Sequence, residues 1–386
     1  MKRTLLLILV TILAAVRLHA DEVVYYNKPW KEVLAKAKAE HKYIFIDCYT
    51  DWCSWCKVMD KETMTNTEVI KLLGDSFIAV KMEMEHGEGI AMSMKYHITG
   101  FPSFLFFNSD GEYVYHTTGY QKSSDFLGDL KGVLDKTKHT PAPGFSKSLN
   151  VDYPDFYRNS FAEKDKRTFP TQEEVIAFLD KQKDLFSEVS WAVIDRYDVG
   201  DKYTRHFLEN VPKYRQLFGK TTVHDNLNTL LGSVLATATK NKDERAFDNL
   251  LAMLDKYMAE DAPDARIFCS LSFYKAIKDW NRYGMACNEF VLRNGFGKTT
   301  EINSFCWDIY ENSDDKKLLA SACKWMAEVV SLEGSYPNLD TYASLLYKTG
   351  QISDAKTMAA KAVATGKAAG SDVKATEELL RKMESK

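Results

Sequence analysis

Tyr43-Ile44-Phe45-Ile46-Asp47-Cys48-Tyr49-Thr50-Asp51-Trp52-Cys53-Ser54-Trp55-Cys56-Lys57 is the stretch that decides the fold. Its first seven residues form a short apolar run rich in aromatic and β-branched side chains, the pattern of a buried strand. Asp47, set amid Phe45, Ile46 and Cys48, is expected to be buried and to titrate high. A helix is predicted to begin near Cys53. The two cysteines then share its first turn, with their sulfurs within reach of each other. Cys53 would meet unpaired backbone N–H groups and the positive end of the helix dipole, which favour thiolate over a thiol of ordinary pKa ~8.5. Cys56, one turn in and more covered, is expected to hold its proton longer. That asymmetry gives an exposed nucleophile and a resolving partner, as thiol–disulfide exchange requires. Two other uses of the pair stand beside this one. A structural zinc site needs four ligands, usually two such pairs, and there is no second Cys-x-x-Cys. A purely structural disulfide is the other, although closing so short a loop adds little stability.

Outward from this stretch, helix and strand patterns alternate. Trp30, Val33, Leu34 and Ala37 recur at helical spacing behind Pro29, which suits the first helical position. A helical piece over Thr67–Leu73, a strand over Phe77–Met82 and a short helix over Ile90–His97 follow. Strands over Ser103–Phe107 and Glu112–Thr117 flank Asn108-Ser109-Asp110-Gly111, which is turn chemistry for a hairpin. Ser124–Lys136 closes with an amphipathic helix. This order predicts an α/β domain, a mixed central sheet with helices on both faces. The acidic loop Glu83–Gly89 reads as a solvated turn from which His86 could approach the active face.

Asp47 lies six residues before Cys53, Lys81 falls on the next strand, Gly100-Phe101-Pro102-Ser103 precedes the hairpin and Gly119 follows it. On these residues the stretch 25–136 resembles the thioredoxin family, in particular exported members such as the C-terminal domain of the periplasmic disulfide-interchange reductases. The resemblance implies a thioredoxin-like fold over 21–138 and a redox-active Cys53–Cys56 disulfide. It implies that Asp47 relays the proton of Cys56, a general acid/base task. It further implies a cis bond before Pro102, which would turn the Phe101 backbone toward an extended substrate. Trp52 and Trp55 would dock a protein partner with Phe101 and Pro102, and Lys57 and Lys81 would modulate the site. Reductase or isomerase action on protein thiols and disulfides is favoured over oxidase action, with an upstream electron donor. Two departures stand out. Ser54-Trp55 replaces Gly-Pro between the cysteines, which leaves the redox potential open, and Cys48 adds a third thiol that reads as inert filler on a buried strand.

His139-Thr140-Pro141-Ala142-Pro143-Gly144 cannot continue a helix, and 139–152 reads as a linker. From Tyr153 onward strand patterns vanish, and 153–386 is expected to be all-α. Ala343, Gly350, Ala355 and Ala362, placed around Tyr347, Ile352 and Met358, predict a tetratricopeptide-like helix pair near 339–366. Trp307, Ala322 and Trp325 would belong to a degenerate unit about 34 residues upstream. The domain is then either a repeat-type array or an irregular bundle. Cys269, Cys287, Cys306 and Cys323 fall about one per helix, either as small buried hydrophobes or as disulfide partners.

Residues 1–20 read as a signal peptide: Lys2 and Arg3, an apolar run from Leu5 to Val16, then Leu18-His19-Ala20 as a cleavage site. The expected location is exported, the bacterial periplasm, with no stable membrane insertion after cleavage. The formal charge of −3 becomes −6 once Lys2, Arg3 and Arg17 are removed. Without basic excess, nucleic-acid binding is not expected. No metal site and no cofactor are predicted. A reading from a different class makes the chain a non-catalytic scaffold that binds partners through its helices, with the first domain as a redox-sensitive module.

Overall fold

β1 (Tyr43–Tyr49) has five consecutive buried residues because both faces of its sheet are covered, so its apolar run shows no alternation. The computed structural model describes residues 22–385; the expected signal peptide lies outside the described residues. Around β1 the chain runs α1 (Trp30–Glu40), β1, α2 (Ser54–Glu62), α3 (Thr67–Ser76), β2 (Phe77–Glu83), α4 (Glu88–Tyr96), β3 (Ser103–Phe107), β4 (Tyr113–Thr118) and α5 (Ser123–Leu134). The sheet order is β2-β1-β3-β4, with β1 parallel to β2 and antiparallel to β3, and β4 antiparallel to β3. This is the mixed sheet expected, in a thioredoxin-like arrangement.

Period-two geometry divides β1 between two layers. Phe45 points into a cluster with Met59, Leu73, Phe104, Phe106 and Phe126, the layer of α2, α3 and α5. Asp47 shares that side, whereas Cys48 takes the opposite one. On the opposite side Phe107 packs on Trp30 of α1 and Tyr96 of α4, with ring centroids 5.1 Å apart in both pairs. The hairpin turn forms as its residues dictate: the Asn108 side chain accepts from Asp110 N and Glu112 N, and Gly111 supplies φ +75°. Pro29 serves as the N-cap of α1 rather than its first helical residue.

The chain divides into two compact units, one reaching Leu227 and the other starting at Asn228. The boundary expected at 139–152 therefore falls inside the first unit. Pro141, Pro143 and Gly144 do interrupt helix formation there, but the segment is stitched down. Ala142 N donates to Tyr113 O at 2.9 Å and Gly144 N to Leu217 O at 2.7 Å. Phe145 is buried against Tyr96, Tyr113 and Phe218. A helix break is a local backbone event; whether it is a linker depends on what its apolar side chains find to bury against. Beyond it come α6 (Asp155–Asn159), a 3-10 turn (Lys164–Lys166), α7 (Gln172–Leu179), α8 (Glu188–Arg196), α9 (Gly200–Glu209) and α10 (Val211–Phe218). Lys95 of α4, fully buried, pairs with Glu188 of α8 and donates to Ser146 Oγ. α11 (Lys220–Asn241) runs across the division.

The second unit continues with α12 (Glu244–Tyr257), α13 (Ala262–Ile277), α14 (Trp280–Asn294), α15 (Thr299–Asn312), α16 (Lys316–Leu332), α17 (Tyr336–Lys348), α18 (Ile352–Ala368) and α19 (Lys374–Glu384). Helices start at 244, 280, 316 and 352, every 36 residues, and the alternate set starts at 262, 299, 336 and 374. The N-caps Asp243, Asp279 and Asp315 recur with the same spacing, each accepting a backbone N–H of its helix. Helices that are neighbours in sequence pack on one another. Ala343, Ala355 and Ala362 are buried where α17 meets α18, and Gly350 turns between them at φ +83°. Cys269, Cys287, Cys306 and Cys323 are free thiols, the last three buried in the packing.

Candidate functional site

Cys53 is the N-cap of α2 and Cys56 lies in the helix's first turn. They form a disulfide, and Cys56 N donates to Cys53 Sγ at 3.0 Å. That N–H is one of the orphan donors of the helix start, aimed at sulfur. Cys53 and Cys56 are equally covered, at 4% and 5% exposed, so the difference in exposure expected from their positions is absent in the disulfide form. What distinguishes Cys53 is its cap position, at the positive end of the helix dipole with the Cys56 N–H aimed at its sulfur.

Around the pair stand aromatic groups. Trp52 and Trp55 are both about half exposed. Trp52 meets the Phe101 ring edge-on at 5.9 Å, which brings the residue before Cys53 against the residue before Pro102. Trp55 lies against Tyr120 at 5.6 Å. The Phe101-Pro102 bond is cis, and Pro102 O accepts from Gly119 N at 2.8 Å. Lys57 is exposed on α2 and makes no ion pair among the described residues.

Asp47 is buried on β1. Lys81 Nζ lies 3.3 Å from Asp47 Oδ2 and also pairs with Asp60 of α2, which ties the carboxylate to the helix that carries the cysteines. Tyr25 donates its hydroxyl to the same Oδ2 at 3.1 Å. Burial raises the Asp47 pKa to about 6, against the pull of Lys81. For Lys81, burial pulls the ammonium down, but Asp47 and Asp60 outweigh it and the net shift is upward. Burial drives Cys48 well above the ordinary thiol range, and its Sγ faces Ile46 O; that thiol is inert filler on the far side of the sheet.

Tyr25, Asp60, Glu85 and Arg167 have no counterpart in the sequence expectations. Tyr25 precedes the first element, and nothing in the spacing of Arg167 links it to the cysteines. The acidic loop did carry a signal, but the residue that reaches the site is Glu85, which accepts from Trp52 Nε1 at 3.1 Å, while His86 is exposed. Among the described residues no cluster of His, Cys, Asp and Glu could hold a metal ion.

Sheet order, a Cys-x-x-Cys at the head of the helix after β1, and the Phe101-Pro102 loop before β3 together define a thioredoxin-like domain. Residues 13–139 match the family described as Thioredox_DsbH, protein of unknown function, DUF255. Over 116 residues the chain is 30% identical to the thiol:disulfide interchange protein DsbD of Pseudoalteromonas atlantica, covering 29% of this chain and 20% of that protein. The solution structure of a protein from Bacteroides thetaiotaomicron, assigned provisionally as a disulphide-isomerase, is 34% identical, with 30% of this chain and 96% of that one covered and a TM-score of 0.29. The oxidised C-terminal domain of DsbD from Neisseria meningitidis is 25% identical, with 28% and 97% covered and a TM-score of 0.25. The chain thus spans about a fifth of the length of the curated relatives it matches.

Proposed function

We propose that this chain is a thiol–disulfide oxidoreductase that acts as a reductase or isomerase on protein disulfides in the exported space, the periplasm of a bacterium. The observation that carries the reading is the Cys53–Cys56 disulfide at the cap of α2, set on the helix that Lys81 links to the buried Asp47.

In the reduced enzyme Cys53 thiolate attacks one sulfur of a substrate disulfide. That S–S bond breaks, a mixed disulfide forms on Cys53, and the departing substrate sulfur takes a proton. Cys56 then gives its proton to Asp47, whose pKa of about 6 leaves it ionised and basic near neutral pH. Cys56 attacks Cys53 Sγ and expels the second substrate thiolate, which is protonated in turn. Two electrons have passed to the substrate, and the enzyme is left with the disulfide seen here. An upstream dithiol donor reduces it again. Trp52, Trp55, Phe101 and Pro102 form the docking face, and the all-α second unit offers a further surface for a protein partner.

The test is a trapping experiment. Cys56→Ser should hold substrates on Cys53 as covalent adducts released by dithiothreitol, and the wild-type protein should hold few. Partners bound equally by Cys53→Ser/Cys56→Ser, with no reductant-sensitive adduct, would refute exchange and leave the scaffold reading.

A further inference from the structure

The helical extension of the first unit returns to the cysteine face. Its start is pinned by Arg196 of α8, which donates to Ser160 Oγ and Ser160 O and covers the Phe161 ring at 4.0 Å. From there Arg167 donates from Nε to Ala162 O at 2.8 Å and from Nη2 to Glu85 Oε1 at 2.6 Å. The other oxygen of Glu85 accepts the indole N–H of Trp52. Lys164 Nζ stands 4.7 Å from the centre of the same indole, whose third neighbour is the Phe101 edge.

Trp52 is therefore half exposed yet held on three sides. Glu85 is 8% exposed, and a carboxylate withdrawn that far from water needs polar partners to replace its hydration and fix its place. Arg167 is one of these partners, with a planar fork that fixes direction as well as charge. A large aromatic side chain restrained before its partner arrives loses less entropy on binding.

We propose that Arg167 is a positioning residue: acting through Glu85, it holds Trp52 as the rigid half of the surface on which protein disulfides dock, so the helical extension sets substrate affinity. This rests on the oxidoreductase reading. The substrate class it fits is a disulfide-bearing peptide segment with an apolar or aromatic side chain to lay on the free indole surface.

The test is steady-state reduction of a disulfide-bonded peptide by the full chain, with dithiothreitol as donor. Arg167→Ala should raise KM about tenfold and leave kcat within about twofold, and Arg167→Lys should recover part of the loss. Trp52→Phe keeps a ring but removes the N–H; it should raise KM as well, and adding Arg167→Ala to it should change little more. Wild-type KM in Arg167→Ala, a loss confined to kcat, or effects of the two changes that simply add would overturn the proposal. Should Arg167→Ala not fold, Trp52→Phe with wild-type KM overturns it alone. A wild-type protein that reduces no disulfide condemns the oxidoreductase reading instead, which separates the two failures.

Discussion

The Tyr25 hydroxyl donates to Asp47 Oδ2 across 3.1 Å, although Tyr25 lies ahead of the first helix and Asp47 in the middle of the sheet. The bond ties the leading segment to the buried carboxylate of β1. Burial raises the Asp47 pKa, and the Tyr25 bond is among the contacts that restrain the rise. The same burial, with Asp47 beside it, pushes the phenol far up, so Tyr25 remains a donor throughout the working pH range.

Tyr25→Phe should therefore let Asp47 titrate higher. A net hydrogen bond of about 1 kcal/mol corresponds to about 0.5–1 pH unit. The pH midpoint of the resolving step, followed as decay of the mixed disulfide in rapid-quench experiments, should move up by that amount. An unmoved midpoint would show that the phenol only packs.

Asp47 should also weaken the fold near neutral pH. Its folded pKa of about 6 lies above the ~3.9 of an unfolded Asp. Well below pH 4, near pH 3, both states are protonated and the group contributes almost nothing. Between pH 4 and 6 the folded state holds the proton that the unfolded state has released, so stability falls as pH rises. The full penalty, on the order of 2–3 kcal/mol, applies above pH 6. Asp47→Asn should thus be more stable than wild type at pH 7.5 and nearly equal to it near pH 3. Urea unfolding of both disulfide-intact proteins at the two pH values measures this. A gain of equal size at both would point to packing rather than charge.

The first domain is legible in sequence because its signals are local. β1 is a continuous apolar run, Asn108 to Gly111 is turn chemistry, and Cys53 caps a helix three residues before Cys56. What escapes is the contact between segments distant in sequence. Arg167 lies 82 residues from Glu85, and nothing in its own neighbourhood says that it will sit beside Trp52. Pro141 and Pro143 mark a real helix break, but only the packed Phe145 shows that the chain does not part there. Asp243, Asp279 and Asp315, 36 residues apart, are legible as helix caps and each accepts a backbone N–H of its helix, whereas the small residues around Gly350 place nothing by themselves, because an alanine can lie anywhere on a packed face. The helix Val211–Phe218 begins with Pro212 in its first turn, where a missing N–H is tolerated, so a residue that breaks helices elsewhere opens this one.

Lys95 explains in part why the extension stays attached. Its ammonium is fully buried on α4 and pairs with Glu188 of α8, a nearly buried carboxylate. Lys95→Met strands Glu188 and should destabilise the first unit by about 3–5 kcal/mol. Lys95→Met/Glu188→Leu removes both charges and should restore much of that. Denaturant unfolding of the two variants tests it; a double variant as weak as the single one would mean that the pair's hydrogen bonds, including the one to Ser146, matter more than the stranded charge.

Cys53→Ser separates the cap role of residue 53 from its redox role. Serine is among the best N-cap residues, so α2 should keep its start and the Cys56 N–H its acceptor. The disulfide is lost, and by loop-closure entropy a loop this short contributes only about 2 kcal/mol. Stability should then match that of the reduced wild-type protein, while insulin reduction with dithiothreitol falls to the uncatalysed rate, because serine is no nucleophile toward sulfur near neutral pH. Denaturation curves and the turbidity assay on one preparation read both. Turnover surviving in Cys53→Ser would place the chemistry elsewhere; stability below that of the reduced wild type, by a margin that grows with pH, would measure what the helix start contributes by favouring a thiolate that serine cannot form.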